Sequence, residues 1–191
     1  MHRALAARAH ESAFALAHAL TFACLLALTV ALAPGTARAN DLDAGIAAMN
    51  RKDYPTAFRL LEPLAQSGNA QAQLRLGLLY FHGHGVRESD AEAMRWFERS
   101  ARQGNAEAQF QLGNMYAYGL AEAAPGVDVD RQAAQWYFEA ARQGHADGQY
   151  SLGILFLTGK GVVQNPQEAL KWIRRAAEQG HADAAAYLRG N

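Results

Sequence analysis

The residues best placed to do chemistry are histidines. His82 and His84 stand two apart in the glycine-rich stretch His82-Gly83-His84-Gly85-Val86, with Glu88 and Asp90 close behind. Such a group would suit a metal ion, but a tetrahedral centre needs a third and a fourth ligand, and no Cys/His spacing supplies them. Solvated loop histidines are the plainer reading, so no metal site is assigned. His145 and His181 occupy one recurring position, which Asn69 and Asn105 hold elsewhere. That equivalence argues for a role at helix junctions rather than in catalysis. No Gly-x-Ser-x-Gly elbow, pair of catalytic carboxylates or phosphate-cradling loop occurs. The chain reads as a non-enzyme without a cofactor.

Composition narrows the classes further. The 191 residues are 50% hydrophobic with zero formal net charge. Arg3 and Arg8 precede an apolar run over 19–33, Pro34-Gly35 breaks it, and Ala37-Arg38-Ala39 sets small residues before Asn40. These are the parts of a cleavable signal peptide over residues 1–39. The apolar run is shorter than the ~20 residues of a spanning helix, so no stable membrane anchor is expected after cleavage. Cys24, the only cysteine, lies inside that run and departs with it. The exported part, expected in the periplasm or outside the cell, then has no disulfide to rely on. Residues 40–191 carry 15 basic and 17 acidic side chains. That mixed, near-neutral balance leaves no electrostatic footprint for nucleic acid.

Stepping from these residues to the elements that hold them, one phrase recurs. Leu-Gly pairs fall at Leu76-Gly77, Leu112-Gly113 and Leu152-Gly153; tryptophans at Trp96, Trp136 and Trp172; Gln-Gly pairs at Gln103-Gly104, Gln143-Gly144 and Gln179-Gly180. Glycines 68, 104, 144 and 180 are separated by 36, 40 and 36 residues. A period in this range means a stacked array of supersecondary units. The expected organisation is a leading helix pair over 40–69, repeats over 70–105, 106–145 and 146–181, and a capping helix over 182–191.

Within each repeat, two helices are expected. Helix A of the first repeat runs about Ala70 to Phe81, too rich in Leu for one narrow stripe and therefore buried on two sides. Gly77 inside it implies a close approach by its partner helix, since glycine there costs roughly 1 kcal/mol. Helix B starts at a Ser89 or Asp90 cap and buries Ala93, Trp96, Phe97, Ser100 and Ala101. Its other face pairs Glu92 with Arg95 and Glu98 with Arg102. The third repeat begins its helix B with Asn165-Pro166, Asn as cap and Pro at the first helical position. Pro63 lies within the second helix of the leading pair, where a kink or an early end is expected. The second repeat has a longer link, over 119–130, read as a tolerated lengthening on one edge of the array.

These anchors resemble the Sel-one-like repeat, a cousin of the tetratricopeptide repeat. The likeness rests on Ala-x-Ala-Gln (Ala70, Ala72-Gln73; Ala106, Ala108-Gln109), Leu-Gly-x-x-Tyr, Gly-x-Gly-Val, Asp-x-x-x-Ala-x-x-Trp and Ala-x-x-Gly. It covers 70–188. The resemblance implies an all-α solenoid of antiparallel helix pairs in a right-handed superhelix, and an adaptor that holds a protein or peptide partner. It also implies that the second, fifth and ninth positions of each helix A face the partner groove. Those positions are Gln71, Leu74 and Leu78; Glu107, Phe110 and Asn114; Asp147, Tyr150 and Ile154. Packing against neighbouring helices is the competing role for Leu74, Leu78 and Ile154. The functional expectation is an exported adaptor in a cell-envelope process. Two rivals stand beside it: a binder or hydrolase of peptidoglycan-derived or β-lactam compounds, as in some secreted relatives, and a host-contact protein. Those relatives are disulfide-rich, unlike residues 40–191.

Overall fold

The computed structural model describes residues 34–121 and 125–190, with side chains from Asn40 onward. The apolar run and Cys24 lie outside the described residues. The chain divides into two units between Ala39 and Asn40, and the repeats lie wholly in the second.

Among the described residues there are nine helices and no strand. They are α1 (Pro34–Asn50), α2 (Tyr54–Gln66), α3 (Ala70–Phe81), α4 (Asp90–Arg102), α5 (Ala106–Ala117), α6 (Val129–Arg142), α7 (Ala146–Thr158), α8 (Pro166–Glu178) and α9 (Ala182–Gly190). Each packs chiefly on its neighbours in sequence, giving sequential antiparallel pairs in a solenoid. No described helix is long and apolar enough to cross a membrane. α1 begins at Pro34, upstream of the leading pair expected over 40–69, since Pro34 at the first turn asks for no hydrogen bond.

The A helices, α3, α5 and α7, are buried on both sides. In α3, Ala72, Leu74, Leu76 and Leu79 all lie within the core. The first core cluster joins α1 to α4 around Leu61, Leu76 and Trp96. A second joins α3, α4 and α5 around Leu74, Phe97 and Leu112. A third joins α6, α7 and α8 around Tyr137, Leu152 and Trp172. Trp96 and Trp172 are buried and Trp136 is half-buried against the second cluster, so the recurring tryptophan serves packing. Arg99 and Arg175 lie over the Trp96 and Trp172 rings at 4.5 and 4.7 Å.

The Leu-Gly glycines have the reason expected of them. A methyl group at Gly77 would sit 2.6 Å from Phe97 Cε1, and one at Gly153 would sit 2.6 Å from Ile173 Cγ1. The Tyr137 ring fills the same space over Gly113. The Gln-Gly glycines serve a different purpose. Gly104, Gly144 and Gly180 take φ of 89°, 90° and 88° in the turn from helix B to the next helix A, where side chains are strained.

The glutamines of the repeating phrase carry the main polar contacts of the core. Gln73, Gln109 and Gln149 are 4–5% exposed. Their side-chain amides donate to the carbonyls of Ala65, Ala101 and Ala141 on the preceding helix B, at 3.0, 3.1 and 3.1 Å. Each side-chain carbonyl accepts at 2.7 Å from the amide of Gln103, Gln143 or Gln179 at the end of its own repeat's helix B. One residue thus ties three helices. Ser100 is fully buried, as read from the sequence, and donates to the Ala70 carbonyl at 2.7 Å.

α2 does not end at Pro63. It runs on to Gln66, because buried Leu64 and Ala65 hold its last turn and the Pro63 carbonyl accepts from Ser67 N–H at 3.0 Å. The helix B starts follow the sequence reading. Ser89 and Asn165 accept from the N–H of Glu92 and Glu168 at 3.2 and 3.1 Å. Glu92–Arg95 and Glu98–Arg102 pair at 2.6 and 3.2 Å. Their exposure limits each pair to a few tenths of a kcal/mol.

The glutamine ladder makes a direct prediction. Gln109→Ala removes a buried amide together with both of its hydrogen bonds and leaves a void in its place, and is expected to cost about 1–3 kcal/mol. Gln143→Ala removes the partner from the exposed side, where water can take its place at the Gln109 side-chain carbonyl, and is expected to cost less than about 1 kcal/mol. Urea unfolding of the two variants measures both, and equal small losses would show that the buried amide contributes nothing.

Candidate functional site

The start of each helix A is built on one plan. Asn69 and Asn105 accept from the N–H of Ala72 and Ala108, both at 2.9 Å. At the next two starts a histidine does the same work: Nδ1 of His145 accepts from Gly148 N–H at 3.1 Å, and Nδ1 of His181 from Ala184 N–H at 3.2 Å. The junction role read from the sequence is therefore met by a cap. Three of the four cap residues also reach back one repeat. Asn105 Nδ2 donates to Gln71 Oε1 at 3.3 Å. His145 Nε2 lies 3.0 Å from Glu107 Oε2, and His181 Nε2 lies 3.2 Å from Asp147 Oδ1.

The nine expected groove positions consequently divide. Gln71, Glu107 and Asp147 hold the junctions between repeats. Glu107 is held below its ordinary carboxylate value of 4.5, first by the hydrogen bond with His145, with burial opposing and Gln111 assisting. Phe110 stacks on the His145 ring at 4.8 Å and Tyr150 lies 4.6 Å from the His181 ring. Leu74 is 2% exposed and belongs to the second core cluster, so the packing role wins there. Leu78 is half-buried against the same cluster. Asn114 Oδ1 accepts from the Tyr137 hydroxyl at 2.8 Å.

Tyr150 and Ile154 alone of the nine line a cleft of about 410 Å³. Its walls are the end of α5 (Ala117) with the adjoining Tyr118, the first turns of α6 (Asp130, Ala133, Tyr137), and α7 (Tyr150, Ser151, Ile154, Leu155), with Lys160 from the following link. Tyr118 is 75% exposed. It stands where the longer link leaves α5, and Leu120 and Ala121 turn back there to donate to the Met115 carbonyl at 2.8 and 3.1 Å. Sequence reasoning missed Tyr118, Tyr137, Asp130 and Lys160, because helix-position rules look at one helix A at a time. The length difference of the second link was the signal that could have found Tyr118.

The cleft offers binding more readily than proton transfer. Burial, with a smaller contribution from Tyr118, pushes the Tyr137 phenol well above its ordinary value of 10. It stays a neutral donor, committed to Asn114. In the first link, His84 stacks flat on Tyr54 with ring centres 4.1 Å apart, and His82 lies against Phe81 at 5.1 Å. Both rings are engaged in packing. Among the described residues, no group of three or more His, Cys, Asp or Glu is arranged to hold a metal ion.

Comparison with known proteins places this geometry. The sequence model of the Sel1 repeat matches residues 47–69, 70–105, 106–145 and 146–181. The chain is similar to a Sel1 repeat protein of Oxalobacter formigenes, with 37% identity and a TM-score of 0.67 over 74% of this chain and 56% of that one. It is also similar to c5321, a protective antigen of uropathogenic Escherichia coli strains with an SLR fold. There the identity is 37% and the TM-score 0.63, over 71% of this chain and 30% of that one. The chain thus spans about half the length of the first structure and under a third of the second. No curated protein matches it.

The Tyr137 environment has a titratable consequence. A phenol raised in the folded state contributes stability that is complete below its ordinary value of 10 and is lost as pH rises toward the folded value. Absorbance at 295 nm (a tyrosinate band) should show Tyr137 ionising after the exposed tyrosines, and Tyr137→Phe should remove that late step. An unchanged titration curve in the variant would refute the assignment.

Proposed function

Because the chain belongs to the Sel1 repeat family, whose repeats generally mediate protein interactions, we propose that it is a non-catalytic adaptor that holds a peptide segment of a partner protein in the α5–α6–α7 cleft. The observation that carries this reading is the cleft itself. It lies between the second and third repeats, where the link is longest, and combines exposed Tyr118 with Tyr150 and Ile154. Aromatic side chains that present an apolar body and a hydroxyl are the usual anchors of interfaces. Asp130 and Lys160 supply one charge of each sign beside the apolar floor, enough to orient a backbone without demanding a strongly charged partner.

Export belongs to the same proposal. Residues 1–39 have the composition of a signal peptide, so the adaptor would work in the periplasm or outside the cell, in a cell-envelope process. A structural rationale for catalysis is weaker. The cleft tyrosine with a fixed geometry, Tyr137, is a neutral donor already used within the fold.

Selection of peptides from a displayed library against residues 40–191 tests the reading. Enriched sequences should share an aromatic or aliphatic anchor and lose at least about tenfold in affinity to Tyr118→Ala, the scale of one interface hot spot. The mutation removes an exposed side chain, so the fold should be unaffected. Selected peptides that bind Tyr118→Ala and Ile154→Lys undiminished would place the partner elsewhere. Nitrocefin turnover should give a flat trace, and saturable hydrolysis would replace the adaptor with a hydrolase.

A further inference from the structure

The two histidine junctions differ from the two asparagine junctions in one chemical respect: an imidazole can take up a second proton and an amide side chain cannot. Both ring nitrogens are already committed. Nδ1 of His145 accepts from Gly148 N–H at 3.1 Å, so it must carry a lone pair. Nε2, 3.0 Å from Glu107 Oε2, must then carry the hydrogen and donate it. His181 repeats the arrangement with Ala184 N–H at 3.2 Å and Asp147 Oδ1 at 3.2 Å. The cap therefore requires the neutral ring with hydrogen on Nε2.

From this geometry we infer that protonation of His145 and His181 opens the last two junctions of the array and thereby loosens the partner cleft, while the asparagine junctions stay closed. The inference rests on the adaptor reading for the identity of the cleft.

A second proton goes to Nδ1 and sets a ring N–H against the backbone N–H it had accepted from. The cap is lost and two donors face each other at rings only 13% and 12% exposed. The opposing gain is a stronger attraction to Glu107 or Asp147. Those carboxylates are 43% and 58% exposed, so water already screens them and the gain is small. Glu107 from α5 is the charged group facing His145, with Arg75 of α3 acting on that carboxylate. Asp147 from α7 faces His181, with the Tyr150 ring beside it. α6 and α8 meet the two residues through backbone: the Ala140 and Ala176 carbonyls accept from the His145 and His181 N–H at 3.1 Å.

The link to the cleft is by direct contact. His145 stacks on Phe110, whose ring lies 5.9 Å from that of Tyr137. His181 packs on Tyr150. Tyr137 and Tyr150 are both cleft walls. The first two junctions, at Asn69 and Asn105, have nothing to titrate, so the response is confined to the cleft's half of the molecule.

Amide hydrogen exchange on the full chain tests the inference, with the asparagine junctions as internal controls. Between about pH 7.5 and about pH 5.5, after correction for intrinsic rates, protection of Gly148 and Ala184 should fall at least about tenfold. Protection of Ala72 and Ala108 should hold. The double variant His145→Asn, His181→Asn installs the cap that the array already uses, so it should fold and lose the response. An equal change at all four starts, or a response that survives in the double variant, would overturn the inference. So would nitrogen NMR at about pH 7.5 showing hydrogen on Nδ1. The selected peptides separate the two readings. Failure to bind at neutral pH removes the adaptor reading and leaves the exchange result standing. Equal binding at both pH values, with exchange responding, removes the coupling to the cleft.

Discussion

One buried amide per repeat sets the register of this molecule. Gln73, Gln109 and Gln149 each donate to the preceding helix B and accept from the end of the following one. Apolar contacts between helices tolerate small slides, because dispersion varies gently with position. A hydrogen bond from a buried amide does not, since a misplaced amide would leave its own donor unpaired away from water. The same three-helix tie, repeated down the array, makes neighbouring pairs stack in one way only. The nearest-neighbour character of a solenoid follows: each core cluster is shared by helices adjacent in sequence, and no contact between distant repeats is needed.

Glycine and a large side chain meet at a second fixed point. Gly77, Gly113 and Gly153 each receive one residue from the partner helix, and that residue varies: Phe97, Tyr137 and Ile173. The variation is silent for packing in the first and third repeats. In the second, tyrosine adds a hydroxyl, which reaches Asn114 and places a polar group at the cleft wall. A position that only fastens the helices in the first and third repeats also lines the cleft in the second.

The cap positions show a similar division of labour. Asn and His present an acceptor to the same backbone N–H, so either serves the fold. Histidine adds a ring that stacks on Phe110 or Tyr150 and a second nitrogen that reaches the previous repeat's carboxylate. The proposed function therefore draws on the places where otherwise equivalent positions differ: the long link with Tyr118, the tyrosine at 137, and the histidines at 145 and 181.

The sequence by itself determined the architecture. The spacing of Leu-Gly, Trp and Gln-Gly, the cap residues and the turn glycines act over one or two helical turns, and such local rules survive any tertiary arrangement. Hence the bounds of α3, the burial of Phe97 and Ser100, and the close approach at Gly77 were legible in advance. The continuation of α2 past Pro63 was not, because the burial of Leu64 and Ala65 that holds its last turn is a tertiary fact. The site was legible only in part, for the same reason. A rule for helix faces names Leu74 as surface, yet that face is covered by α4 and α5. It names Glu107 and Asp147 as free, yet each meets a histidine 38 or 34 residues later, a separation that carries no local signal. The cleft draws Tyr118, Tyr137 and Tyr150 from three segments. Only the stacking of one repeat on the next, fixed by the buried glutamines, brings those three rings to one surface.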